Sequence, residues 1–428
     1  YQNVFIMNNK QKIYFFSEKD VEGNKDMFSL LGGKGANIAE MCSLKLPVPP
    51  GFTITTEECV SYLKEKKLSP ALKRDIEKNI KKVESVSGKL FGGDDPLLLS
   101  VRSGAPVSMP GMMETVLNIG LTQKTIPLLI KKTKNEKFVY DSYRRFIMMY
   151  SDVVMEKGLR KNKTGQPIRD QMEKLLDQMK KKNGYKNDSA VSSESWEGLA
   201  KQYLSLYEKT FNEQFPEDHT EQLHGAVRAV FSSWNGKRAK EYRAFEKIPS
   251  NMGTAVNVQA MVFGNMGTGC GTGVAFTRNP SSGDKSFYGE WLENAQGEDV
   301  VAGVRTPHPI LKKDGSKNSL EHVLPKAFKE LNTIRTKLEK HFMDMQDIEF
   351  TVENKKLWML QTRRGKRTGM ASIKIVTDMV KEKLITKKEA LSRVQPAQIY
   401  ESLLKNIKPD SLLENSSISS GLPAGPGA

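Results

Sequence analysis

The chain has 428 residues, 38% of them hydrophobic, which is more than one ordinary core needs and enough to fill two to four lobes. No run of about 18 apolar residues occurs, which excludes a helical membrane span, and the first residues lack a signal-peptide hydrophobic stretch. The formal charge of +16 points to anionic ligands. About half of that surplus, however, lies in lysine-rich pieces between Leu121 and Thr210. These lack interleaved aromatics or a recognisable nucleic-acid module, so a solvated basic face is expected rather than nucleic-acid binding. Cys42, Cys59 and Cys270 are too widely spaced for a disulfide framework or a zinc site, and a reducing compartment, cytoplasmic or organellar, is expected.

Tyr14 to Phe16 is a short β-like run. Leu31-Gly32-Gly33-Lys34-Gly35-Ala36-Asn37 then leads into a helical pattern with Ile38, Met41 and Leu44 on one face. Glycines ahead of a helix N-terminus expose backbone N–H groups where the helix dipole also favours an anion, and Lys34 adds a charge. This is not a Walker A loop, because no glycine stands five residues before Gly33 and Lys34 is followed by Gly. A plain helix-entry turn fits the stretch equally well. Pro47-Val48-Pro49-Pro50-Gly51 turns the chain into a strand candidate, Phe52 to Thr55, and a charged helix runs on to about Val86. Leu97 to Val101 reads as a buried strand that continues into Arg102-Ser103-Gly104-Ala105. Arg102, at its end, is placed either to reach a phosphate or to make a structural salt bridge.

From Thr125 to about Glu208 the signals are helical. The spacing of Tyr140, Tyr143, Phe146, Ile147 and Tyr150 points to core packing rather than base stacking. Ala226 to Trp234 reads as a further helix. After Pro249 the pattern changes to strands: Ala255 to Phe263, Val274 to Thr277, and Tyr288 to Glu293. Between the first two lie five glycines within Gly264 to Gly273, which permit positive φ angles and close approach of N–H groups to a ligand. A mobile hairpin tip is the alternative. Gln296 to Val301 supplies carboxylates, and Leu320 to Phe342 contains a helix.

The stretch from Met345 to Arg367 reads as a β-hairpin around the polar loop Asn354-Lys355-Lys356. With Glu353 paired to Leu357, alternation puts Ile348, Phe350, Val352, Trp358, Leu360 and Thr362 on one face. Asp347 and Glu349 then lie opposite Arg363 and Gln361 on the other. Carboxylates, an amide oxygen and a guanidinium on one rigid face suit magnesium and phosphate oxygens. A surface hairpin with cross-strand ion pairs fits the same pattern.

The motifs LLGGKGAN (Leu30 to Asn37), PVPPGFTITT (Pro47 to Thr56), SVRSGAPVSMPGMM (Ser100 to Met113), GTGVAFTRNP (Gly271 to Pro280) and NAQGEDVVAGVRTP (Asn294 to Pro307), with Tyr140 to Met155 and the hairpin, closely resemble the nucleotide-binding part of the pyruvate, phosphate dikinase family. The resemblance implies an α+β, ATP-grasp fold with two lobes enclosing nucleotide and an inserted, mainly helical subdomain. The implied domains are an N-terminal lobe at 1–124, a helical insertion at 125–209, a return to that lobe at 210–250, and a C-terminal lobe with the glycine-rich loop and metal-site hairpin at 251–367. A helical linker and the start of a phosphohistidine domain would occupy 368–428. Lys34 and Arg102 would hold phosphates, and Arg363 would stabilise charge on the transferred group. Glu349 and Gln361 would bind Mg2+. Gln259, Met261 and Val262 would line the adenine pocket, Gly269, Gly271, Thr272 and Gly273 would cover the phosphates, and Glu298 is a second acidic candidate.

The implied parent reaction converts ATP, inorganic phosphate and pyruvate to AMP, pyrophosphate and phosphoenolpyruvate. This chain would host only the phosphoryl transfer from ATP, with a phosphohistidine domain and phosphate as partners, no membrane, and a homo-oligomeric parent. The alternatives are a phosphoenolpyruvate synthase module and a non-catalytic nucleotide or polyanion scaffold. Thr268, Gly269 and Cys270 depart from the acidic residues and Ser common in relatives, Arg364 replaces an Asn, and Glu114 replaces an Asp. None of the five histidines, His219, His224, His308, His322 and His341, has the Thr-Ser-His-Ala context of the phosphocarrier. Ser420 to Ala428 resembles the beginning of that domain.

Overall fold

A computed structural model describes residues 11–159, 165–301, 305–312 and 316–403. The chain divides between Val262 and Phe263 into two compact units. The segment expected to open a phosphohistidine domain lies outside the described residues.

In the first unit, β1 (Ile13–Phe16), β2 (Gly51–Ile54), β3 (Leu99–Gly104), β4 (Thr115–Ile119) and β5 (Ala255–Ala260) form one antiparallel sheet in the order β1-β2-β5-β3-β4. β5 is buried at every position, as befits a central strand. From its position in the sequence it is expected in the later lobe, from 251 onward. Its hydrogen-bonding neighbours β2 and β3 instead put it in the first unit and move that boundary to 262. An apolar run announces burial but does not say which strands will flank it.

The helices between Thr125 and Phe211 form where periodicity predicts them, with Asn135 and Ser192 accepting hydrogen bonds from the Phe138 and Ser195 N–H groups as N-caps. Tyr143, Phe146, Tyr150 and Tyr207 pack their rings around Phe215 at centroid distances of 5.2–6.4 Å, so the aromatic spacing serves a core. The helix His219–Ser233, capped by Asp218, packs against β3, β4 and β5.

The second unit carries β6 (Gly271–Phe276), β7 (Tyr288–Glu293), β8 (His308–Pro309), β9 (Gln346–Glu353) and β10 (Lys356–Arg364), in the order β10-β9-β6-β7-β8, again antiparallel. One face of this sheet is apolar: Ile348, Phe350, Val352, Leu357, Met359, Ala275 and Trp291 are fully buried. The helix Pro325–Phe342 packs on β9 and β10. Gly271 and Gly273, expected in a loop, are strand residues. A Cβ on Gly271 would stand 2.8 Å from the Trp291 ring, and one on Gly273 would stand 2.6 Å from the Phe350 ring. These two glycines make room for aromatic side chains on the neighbouring strands.

The β9–β10 hairpin corrects the expected register near its turn. Asn354 (φ 49°) and Lys355 (φ 67°) both adopt left-handed backbone, closing a two-residue turn in which Glu353 pairs with Lys356 rather than Leu357. An irregularity between Met359 and Gln361 absorbs Leu360 as an extra residue. Beyond it the pairing is the predicted one: Gln361 opposite Glu349 and Arg363 opposite Asp347. Consequently Leu357 and Met359, not Trp358 and Leu360, join the apolar face. Trp358 is half-buried, with the Lys356 ammonium 3.8 Å from its ring centre.

Two arginines with buried side chains brace the second unit through ion pairs. Arg278, with no exposed surface, donates to Glu339 and Glu382 at 2.8 Å each. Arg367 grips Asp344 with two hydrogen bonds of 2.7 and 2.9 Å. Burial would raise the Asp344 pKa, but Arg367 and Arg364 outweigh it and hold the carboxyl below its ordinary value of 3.8. A depressed pKa stabilises the fold above the unfolded value, and that stability is lost as pH falls through the folded value. Acid unfolding followed by fluorescence should therefore show stability falling below about pH 4, and Asp344→Asn should remove part of that pH dependence. Gly273→Ala should lower stability by about 1–3 kcal/mol through overpacking. Gly198→Ala, in a helix with nothing within 4 Å of the new methyl, should raise it by about 0.5–1 kcal/mol. Urea denaturation of both variants checks this contrast.

Candidate functional site

The helix Phe28–Ser43 is broken at Gly32, whose φ of 66° and ψ of 169° lie outside helical space. A Cβ there would sit 1.7 Å from the Gly104 carbonyl oxygen, so only glycine allows the approach. Just beyond the break, the Gly33 N–H donates to the Ala105 carbonyl at 2.9 Å. The Gly-Gly-Lys-Gly and Arg-Ser-Gly-Ala motifs, far apart in sequence, are thus one local structure. Lys34 is half-buried in the first turn after the break, and a Cβ on Gly104 would lie 3.3 Å from its own Cβ.

Arg102 projects from β3, and its guanidinium donates to the Gln259 side-chain oxygen. The Gln259 amide nitrogen in turn donates to the Pro49 carbonyl at 2.9 Å. Gln259 is only 1% exposed. Its carboxamide, expected beside an adenine ring, is occupied by these two contacts inside the unit. Met261 and Val262, expected beside it, are half-buried at the end of the strand, where the Met261 N–H donates to the Leu98 carbonyl at 2.8 Å.

In the second unit the polar face of β9–β10 gathers four residues. Arg363 donates from Nε to Asp347 at 2.6 Å and holds Glu349 at 3.9 Å, and Gln361 lies directly across the ladder from Glu349. Burial pushes the Asp347 pKa up, Arg363 opposes that, and Glu349 adds to it, with a raised value as the outcome. Burial disfavours the Arg363 charge, but Asp347 and Glu349 outweigh it and raise its pKa. Asp347 was visible on this face by alternation but was not among the predicted site residues. It is the closest carboxylate to Arg363.

The glycine-rich loop is shorter than expected. It spans 264–270, with positive φ at Gly267 and Gly269, while Gly271, Thr272 and Gly273 are taken up by pairing with β7 on one side and β9 on the other. The Thr272 hydroxyl is buried and donates to the Phe350 carbonyl at 3.1 Å. The loop rests on the hairpin turn: the Lys355 N–H donates to the Gly269 carbonyl at 2.8 Å, and the Asn354 N–H to the Cys270 sulfur at 3.2 Å. Glu298, in the short helix Gly297–Val301, follows the segment whose Ala295 N–H donates to the Gly264 carbonyl at 2.9 Å. That bond ties the start of this segment to the glycine loop.

Glu349 and Gln361 offer two hard oxygen ligands side by side. Among the described residues no group of three or more His, Cys, Asp or Glu gathers as a metal cluster. The donor set fits magnesium, which keeps several waters and is held by one or two carboxylates together with ligand phosphates. A cavity of about 290 Å³ near Lys285, Arg335 and Glu382 contains none of the predicted site residues. No described helix is long and apolar enough to cross a membrane.

The family profile described as pyruvate phosphate dikinase, AMP/ATP-binding domain, matches residues 28–90, 69–326 and 312–384. The chain is 48% identical over 423 residues to the pyruvate, phosphate dikinase of Rhizobium meliloti, covering 97% of this chain and 46% of that protein. It is 49% identical over 410 residues to the enzyme of Clostridium symbiosum, covering 95% of this chain and 45% of the relative. With pyruvate, phosphate dikinase 2 of Zea mays it shares 46% over 422 residues, at 98% and 46% coverage. The chain thus spans about half the length of the curated relatives it matches. A profile match across most of the described residues, with the site motifs inside it, shows that the chain belongs to the pyruvate phosphate dikinase AMP/ATP-binding domain family.

Proposed function

We propose that the chain is an ATP-grasp module that binds Mg–ATP and hosts the phosphoryl-transfer half of a pyruvate, phosphate dikinase reaction. The observation that carries this reading is the quartet Gln361–Glu349 and Arg363–Asp347 on one face of the β9–β10 hairpin. Phosphoryl transfer asks a protein mainly for positioning and for neutralisation of charge on the moving group. Glu349 and Gln361 would hold Mg2+, which supplies charge neutralisation at the phosphate oxygens. Arg363, oriented by Asp347, would meet charge on the transferred phosphoryl group, because a guanidinium fork matches phosphate oxygens bidentately. In the first unit, Arg102 and Lys34 are proposed to bind nucleotide phosphates; in the second, the loop 264–270 is proposed to bind phosphate, with Gly269 contributing backbone. Met261 and Val262 are proposed on the nucleoside side, and Glu298 is proposed as a second acidic ligand.

The acceptor would be a phosphohistidine domain and then inorganic phosphate, giving AMP and pyrophosphate, with phosphoenolpyruvate formed elsewhere in the whole enzyme. The names of the relatives favour this over a phosphoenolpyruvate synthase module. Calorimetric titration with Mg–ATP should show binding that Glu349→Ala weakens at least tenfold, about 1.4 kcal/mol, with the melting temperature unchanged. Salt-sensitive binding of DNA without ATP affinity would sink the reading. With a separately supplied phosphohistidine domain, ATP exchange should depend on inorganic phosphate. Arg363→Ala should slow that exchange by about 100-fold or more, as expected for removal of one charge-stabilising donor.

A further inference from the structure

β5 presents Asn257 and Gln259 on one face of the first sheet, because residues two apart on a strand share a face. In the ladder Asn257 lies between Thr53 on β2 and Arg102 on β3, and Gln259 lies between Gly51 and Ser100. Both amides are buried, at 0% and 1% exposure. The Thr53 hydroxyl donates to Asn257 at 2.9 Å, and a Cβ on Gly35 or on Gly104 would lie 3.0 or 2.7 Å from the Asn257 carboxamide. That carboxamide therefore forms the floor on which the Lys34 segment rests. Gln259 reaches diagonally to Arg102 while its nitrogen is anchored on Pro49.

A long cationic side chain loses much rotamer freedom when it grips a ligand, and a neighbour that already holds it reduces that cost. A neutral amide oxygen does this without cancelling the positive charge, as a carboxylate in the same place would. Burial at 1% also leaves Gln259 no surface to offer a base. We infer that Gln259 is a positioning residue: it acts on the nucleotide through Arg102, holding the guanidinium toward the phosphates, and makes no contact with adenine. This inference rests on the proposed nucleotide-binding reading.

The test is a double-variant comparison on the whole chain. Mg–ATP is titrated calorimetrically into the unsubstituted protein, Gln259→Leu, Arg102→Ala and the double variant, with melting temperatures recorded alongside. Gln259→Leu is expected to weaken ATP about tenfold, and by less than twofold when Arg102 is already Ala, since a residue acting through another loses its effect when that other is gone. Equal losses in both backgrounds would overturn the inference, because Gln259 would then touch the nucleotide itself. A lowered melting temperature with unchanged ATP affinity would overturn it in favour of a purely structural role. If Gln259→Leu does not fold, Gln259→Met, which keeps the length of the side chain, is read by the same criteria. Absence of ATP binding by the unsubstituted chain would show that the nucleotide reading itself had failed, and the inference with it.

Discussion

Side chains alternate along a strand, so a slip of one residue in a hairpin exchanges its faces. The turn of β9–β10 starts such a slip, because its two left-handed residues bring Glu353 opposite Lys356. Continued down the ladder, that register would set Leu360 opposite Glu349 and Thr362 opposite Asp347, with Arg363 turned to the apolar side. The extra residue near Leu360 reverses the slip after Met359. It leaves an apolar face near the turn, made by Leu357 and Met359, and a charged face at the open end, made by Glu349, Gln361, Asp347 and Arg363. Both the packing of the second unit and its candidate metal and phosphate ligands depend on that one irregularity.

Glycines do different work in the two units, and only their surroundings distinguish them. Gly32 permits a backbone approach that joins the Lys34 segment to the end of β3. Gly271 and Gly273 yield space to Trp291 and Phe350 inside a sheet. Gly267 and Gly269 shape a loop through positive φ. A string of glycines in sequence looks like one flexible element, whereas the structure splits it into a loop and a tightly packed strand.

The charge of the chain resolves in a similar way. A surplus of +16 says little about a site, because much of it lies on helical surfaces. The informative cations are those held in place: Arg363 by Asp347, Arg102 by Gln259, Arg278 by two glutamates. The third braces the fold. The first two are each proposed to meet nucleotide phosphates, and a guanidinium fixed before ligand arrives gives up less freedom on binding.

Much of this was legible from residues alone. Periodicity marked the helices between Thr125 and Phe211 and the strands around the hairpin, alternation put Glu349 and Gln361 on one side, and motif order carried the family. These are local properties, set by the periods of helix and strand. The sequence could not show that β5 enters the first sheet, that Gln259 faces inward to Arg102, or that Gly271 and Gly273 belong to a strand. Nor could it show that Leu360 is absorbed as an extra residue. Each of these depends on which distant segments become neighbours, and that is decided by the pairing and packing of the whole unit rather than by any local pattern.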